Sequence, residues 1–204
     1  MKIHRLFPSL FLLALVLQSL PALAQEKTWP IQLDNVPKEE AIGFCLYTTA
    51  NNTLKLTAQL YPLADDVDRA VKLQIRKGNE WVEVASTTVS EEPMGFPQQN
   101  VKRWTAHFRV TEWDMTKDYK YRVVAAGGAA TYEGTIRRDP VDKEVIVVAA
   151  FTGNSSRDRR LKPDLIANLK AQDPDLLFFS GDQSYDHKIH YQAWLLFGKQ
   201  FGEI

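Results

Sequence analysis

Along the middle of the chain, apolar and polar residues alternate in short runs. Residues 53–61 place Leu54, Leu56, Ala58 and Leu60 at one set of alternate positions and Thr53, Lys55, Thr57 and Gln59 at the other. That period of two predicts a strand with one buried and one wetted face. Residues 71–76 repeat the pattern, Lys77, Gly78, Asn79 and Glu80 carry turn chemistry, and residues 81–84 return, which predicts a hairpin. Residues 104–110, 119–123 and, after Gly127 and Gly128, residues 130–136 alternate again. Six or seven short strands with polar turns and no helical stretch predict a β-sandwich of about 100 residues over 42–138.

The pattern then changes. Residues 139–143 contain Asp139, Pro140 and Asp142 and read as a polar linker. Residues 144–151 are continuously apolar after Glu144, as suits a strand buried on both faces of a layered α/β sheet. Pro163 is placed for a first helical turn, Leu165, Ile166 and Leu169 share a face, and Asp173-Pro174 ends the helix. Residues 175–180 form a second apolar run, so strand, helix and strand predict two parallel strands joined by a right-handed crossover. Residues 192–201 begin another helix.

The N-terminus adds a location. Lys2, His4 and Arg5 precede a mostly apolar stretch over 6–20, and Ala22-Leu23-Ala24 is a small-x-small cleavage pattern. Residues 1–24 read as a secretory signal peptide, with an uncleaved anchor as the competing reading; the apolar core is short and interrupted for a membrane span. The mature chain is expected to begin near Gln25, with a lead-in segment over 25–41. It would work in the periplasm or outside the cell, with no membrane contact after cleavage. The 25 Lys and Arg balance 25 Asp and Glu, which argues against a nucleic-acid partner. Cys45 is the one cysteine, so no internal disulfide forms and stability must come from the core, to which 5 Trp, 7 Tyr and 10 Phe give bulk.

Candidate chemistry falls where ligands gather in α/β sheets, at the carboxyl ends of the strands. Residues 152–158 follow the first α/β strand and residues 181–187 follow the second, and parallel pairing would bring the two loops together. Asp182 stands behind Gly181 at the end of an apolar strand, where a hard carboxylate on a rigid support suits a metal ion. Gly-Asp is equally a turn that caps a strand exit. Cys45 reads as a small buried hydrophobe. His187 and His190 read first as solvated, with a metal or substrate role as the alternative, and Arg157, Arg159 and Arg160 first as a charged lead-in to the helix, with phosphate contact as the alternative.

Two resemblances sharpen this. The segment Trp113-Asp114-Met115-Thr116-Lys117-Asp118-Tyr119-Lys120-Tyr121 resembles the turn and tyrosine corner of fibronectin type III and immunoglobulin-like sandwiches. The segment Pro174-Asp175-Leu176-Leu177-Phe178-Phe179-Ser180-Gly181-Asp182-Gln183-Ser184-Tyr185-Asp186 closely resembles the second metal motif of calcineurin-like metallophosphoesterases. With Gln183 and Tyr185 after Gly-Asp, it is similar to the PhoD-like alkaline phosphatase branch, which often carries an N-terminal sandwich. The resemblance spans residues 144–204 and implies a layered α/β domain, here incomplete. It implies a phosphate-ester substrate and metal ions such as iron, calcium, zinc or manganese.

Residue by residue, the resemblance makes Asp182 the metal-bridging and catalytic carboxylate and Tyr185 a ligand to iron. It puts Asn154 where the first strand would offer a polar ligand. Tyr185 equally reads as an aromatic packed under its loop, and Asn154 as a turn former. The family's Asp-x-His or Cys after the first strand is replaced here by Thr152-Gly153-Asn154. The expectation is the N-terminal part of an exported metal-dependent phosphatase or phosphodiesterase, truncated before its later ligands and therefore inactive by itself. The alternative is an exported β-sandwich interaction module that uses aromatics such as Trp81, Trp104 and Trp113.

Overall fold

A computed structural model describes residues 30–93, 102–153, 160–183, 190–202 and 204. The alternating runs become β1 (Ile42–Ala50), β2 (Thr53–Leu60), β3 (Ala70–Lys77), β4 (Glu80–Thr88), β5 (Ser90–Pro93), β6 (Lys102–Thr111), β7 (Tyr119–Ala125) and β8 (Ala130–Ile136). They form two four-stranded sheets, β1-β2-β6-β5 and β4-β3-β7-β8, antiparallel at each pairing. Lettered as in an immunoglobulin domain, the order is A-B-E-D against C′-C-F-G. The period of two is realised in the core. Leu54, Leu56, Ala58 and Leu60 of β2 join Val71, Leu73 and Ile75 of β3 and Tyr121, Val123 and Ala125 of β7 in one buried cluster.

Turn chemistry fixes the registers. Asn51 and Asn52 join β1 to β2 with φ of 50° and 52°, the paired left-handed conformation whose twist matches a two-residue hairpin. Gly78, at φ 60°, does the corresponding work between β3 and β4. The corner before β7 differs in detail from the expected tyrosine corner. Trp113 donates its backbone N–H to Asn52 O at 2.8 Å, and its ring lies 4.5 Å from that of Tyr119. The Tyr121 hydroxyl bonds the buried Cys45 thiol, whose burial pushes its pKa far above the usual thiol range. Cys45 is thus a core residue with an inert thiol. Tyr121 also fixes its cross-strand partner: a Cβ on Gly134 would come within 2.6 Å of the tyrosine ring.

Beyond the sandwich come β9 (Val148–Phe151), α1 (Pro163–Gln172), β10 (Leu176–Phe179) and α2 (His190–Phe201). β9 and β10 pair in parallel, Val148 opposite Leu176 and Phe151 opposite Phe179. Pro163 opens α1, and Asp173 closes it in the left-handed conformation with its N–H on Leu169 O and Lys170 O. The expected strand over 144–151 is shorter than its apolar run and is not buried on both faces. Val145 is 71% exposed, and Val148, Leu176 and Phe178 are also exposed. The reason is that α1 and α2 cover one side only. Leu165, Ile166 and Leu169 of α1 and Phe197 and Phe201 of α2 gather with Ala149, Phe151 and Phe179 in a second cluster.

α2 packs on the sandwich as well. Tyr191, Ala193, Leu195 and Leu196 belong to the sandwich core. Gln59, 2% exposed on β2, ties the helix to the sheet. Its Nε2 donates to Trp104 O at 2.7 Å and to the Tyr191 hydroxyl at 3.0 Å, and its Oε1 accepts from Trp194 Nε1 at 2.7 Å. The Tyr191 hydroxyl donates in turn to Leu60 O. A buried amide is tolerable because both its ends are satisfied.

Gly198 is where the helix meets Phe44 of β1: a Cβ there would fall 2.0 Å from the phenyl ring. An alanine in a helix normally gains up to about 1 kcal/mol over glycine. Overpacking a filled core costs about 1–3 kcal/mol, and Phe44 is buried, at 2% exposure. The overlap wins, so Gly198→Ala is expected to lower stability by about 1–2 kcal/mol in urea unfolding. An unchanged or raised midpoint would show that Phe44 does not lie across the helix.

Candidate functional site

The site begins with a layer of rings. Phe151 and Phe179, one at the end of each parallel strand, stack at 5.0 Å. Phe201 lies 5.0 Å from Phe151 and 5.2 Å from Phe179, and Phe197 lies 5.1 Å from Phe179. The series continues through Trp194, 5.3 Å from Phe197, to Phe44 of the sandwich at 5.8 Å. An unbroken run of aromatic contacts therefore leads from β1 to the strand ends.

Immediately past those rings the two strand exits are tied together. Phe151 O accepts from Ser180 N–H and from Ser180 Oγ, both at 3.0 Å, and from Gln183 Nε2 at 3.4 Å. Gln183 Nε2 also donates to Gly181 O. Gly153, Gly181 and Asp182 have φ of 62°, 116° and 56°. At Gly181 an added Cβ would meet nothing within 4 Å, so the glycine answers a conformational demand. Asp182 is exposed on this turn.

Parallel pairing thus brings the exit of β9 beside Gly181-Asp182. Asn154 and Tyr185 lie outside the described residues, as do Arg157, Asp158, Arg159, His187 and the signal segment. His190 opens α2. Among the described residues, no three of His, Cys, Asp and Glu come together. Asp182 with its described neighbours does not by itself make a metal centre. Sequence reasoning missed Gln183 as the clip between the exits. Its position two residues after a glycine at a strand end was the available signal.

The strand starts are pinned at the opposite end. Arg137 leaves β8 and grips Asp173 with Nη1 at 2.9 Å and Nη2 at 3.3 Å, and its Nη1 also donates to Pro174 O at 3.0 Å. Asp175 accepts from Lys143 Nζ and, at 3.0 Å, from Val147 N–H. The polar segment 139–143 is thereby clamped to β10. Of the tryptophans, Trp104 and Trp113 are buried in the core and Trp81 is half-buried.

No family profile matches the chain, and no curated protein does. Among solved structures, the C3 domain of an IgNAR antibody is similar over 47% of this chain and 91% of its own, at 16% identity and a TM-score of 0.27. So slight a likeness carries no weight beside the strand order itself.

The clamp at Asp175 sets a pH dependence. The Lys143 ammonium, and then the Val147 N–H, hold its carboxyl below the ordinary carboxylate value. A carboxyl depressed in the folded chain binds its proton more tightly when unfolded, so its stabilisation is complete above about pH 4 and fades as pH falls through the folded value. Asp175→Asn is expected to lower the thermal midpoint at pH 7 and to lower it by less at pH 3. Equal losses at both pH values would remove the clamp from the account.

Proposed function

We propose that this chain belongs to an exported, metal-dependent phosphoric ester hydrolase of the PhoD-like kind, with Asp182 as a metal-bridging carboxylate. The observation that supports the reading is the placement of Gly181-Asp182. It follows an apolar parallel strand, beside the neighbouring exit at Thr152-Gly153, over a packed aromatic layer. Strand ends of parallel sheets are where α/β proteins collect ligands. The resemblance of residues 174–186 to the second metal motif supplies the rest, with Tyr185 and Asn154 as the further proposed ligands.

A bound cation would supply Lewis-acid polarisation of a phosphoryl oxygen and a hydroxide at neutral pH. This chain's described contribution is narrower. Ser180 and Gln183 lock the exit of β10 to that of β9, and the glycines allow the backbone to turn there. That fixes where the Asp182 carboxylate starts.

Titrating manganese, zinc, calcium and ferric iron in turn into the purified chain by calorimetry tests the reading. At least one ion is expected to bind, and Asp182→Asn to weaken it tenfold or more, about 1.4 kcal/mol. Equal affinity in the variant would sink the ligand role. Hydrolysis of an aryl phosphate by this chain is expected to stay at the buffer rate. A metal-dependent rate lost in Asp182→Asn would overturn the expectation that the chain is inactive by itself.

A further inference from the structure

The outer face of the β4-β3-β7-β8 sheet carries an arrangement that the phosphatase reading does not use. Trp81 of β4 sits beside two guanidinium groups, with Arg122 Cζ 4.7 Å and Arg76 Cζ 5.8 Å from its ring centroid. Each arginine is held a second time through Nε. Arg122 donates to Gln74 Oε1, and Arg76 donates to Gly78 O at 3.3 Å. Two long, flexible cations are thus fixed against a ring before any ligand arrives, which removes part of the ordering cost of binding. Among the described residues, the Nη groups of both have no hydrogen-bond partner.

The surface around them is concave. One cleft of about 380 Å³ is lined by Arg76, Trp81, Lys120 and Glu133. A second of about 370 Å³ is lined by Asp68, Lys72, Gln74 and Val124. Arg76, Gln74 and Lys72 are successive outward positions of β3, so the two clefts run along one strand. On these strands Lys72, Arg76, Lys120 and Arg122 face Glu83 and Glu133, and Lys72 is already paired with Glu83 at 3.1 Å. The surplus of positive charge is local, because the whole chain is neutral.

We propose that this face binds a carboxylated saccharide chain. A carboxylate matches the planar guanidinium fork. An apolar sugar face suits the partly exposed indole, and Glu133 accepts from hydroxyls. The mixture of fixed cations with a few acceptor carboxylates fits a ligand that alternates carboxylate and hydroxyl groups. A densely sulfated chain would meet Glu133 with repulsion, and an acidic peptide would leave the indole without a partner.

Affinity electrophoresis of the full chain in native gels containing polygalacturonate tests this, with dextran, dextran sulfate and poly-glutamate gels beside it. Retardation by polygalacturonate is expected, falling as salt screens the charges, with no retardation by dextran. The double variant Arg76→Gln/Arg122→Gln is expected to weaken it at least tenfold with its circular dichroism unchanged. Arg122→Lys and the exposed Lys120→Gln are milder substitutions that report if the double variant does not fold; each is expected to lose several-fold. No retardation by polygalacturonate, retardation unchanged in folded variants, or stronger retardation by poly-glutamate or dextran sulfate would overturn the proposal.

Discussion

One helix has to satisfy two cores at once, and most of the architecture follows from that. α2 puts Tyr191, Leu195 and Leu196 into the sandwich and Phe197 and Phe201 under the parallel strands. Gly198 between these sets lets Phe44 lie against the helix. Aromatic pairs contribute about 0.5–1.5 kcal/mol each beyond their burial, and four ring contacts join α2 to Phe44, Phe151 and Phe179. The ion pair of Arg137 with Asp173 has side chains 38% and 72% exposed and belongs to a class worth about 0–1 kcal/mol. Packing therefore holds the two parts together. The ion pairs add direction, fixing which end of β10 meets the exit of β8.

The sandwich was legible in the sequence because its signal is local. Period-two runs such as residues 53–60 and 71–76 needed no knowledge of the rest of the chain, and Gly78 marked its own turn. The parallel pair was legible for the same reason, from two apolar runs flanking a helix that starts at Pro163. What stayed hidden depends on partners far away in sequence. Gln59 reads as an outward polar residue of an alternating strand, yet it is buried because Tyr191 and Trp194 arrive from more than 130 residues away. The apolar run over 144–151 reads as doubly buried, yet burial depends on how many layers surround a strand. One covering layer leaves Val148, Leu176 and Phe178 outside.

Candidate sites divide along the same line. Gly181-Asp182 could be found from the sequence because a glycine-acid pair just past an apolar run is a local mark of a strand exit. The arginines beside Trp81 could be half found: Arg76 and Trp81 face each other across a recognisable hairpin. Arg122 comes from a strand 41 residues after Trp81 and meets it only because β7 lies beside β3.

Asp182 can be weighed as a turn residue or a ligand by asking what holds the turn. Aspartate tolerates the left-handed conformation at small cost, and Asp173 adopts it at the end of α1 for purely structural reasons. Backbone conformation therefore does not separate the two roles. The hydrogen bonds bear on it more directly. The links from this exit to Phe151 O come from Ser180 and Gln183, and Gln183 also closes back on Gly181 O. Neighbours on both sides of Asp182 thus hold the turn to β9. A carboxylate exposed on a turn so held starts from a defined position, and that is what a metal ligand requires of its backbone.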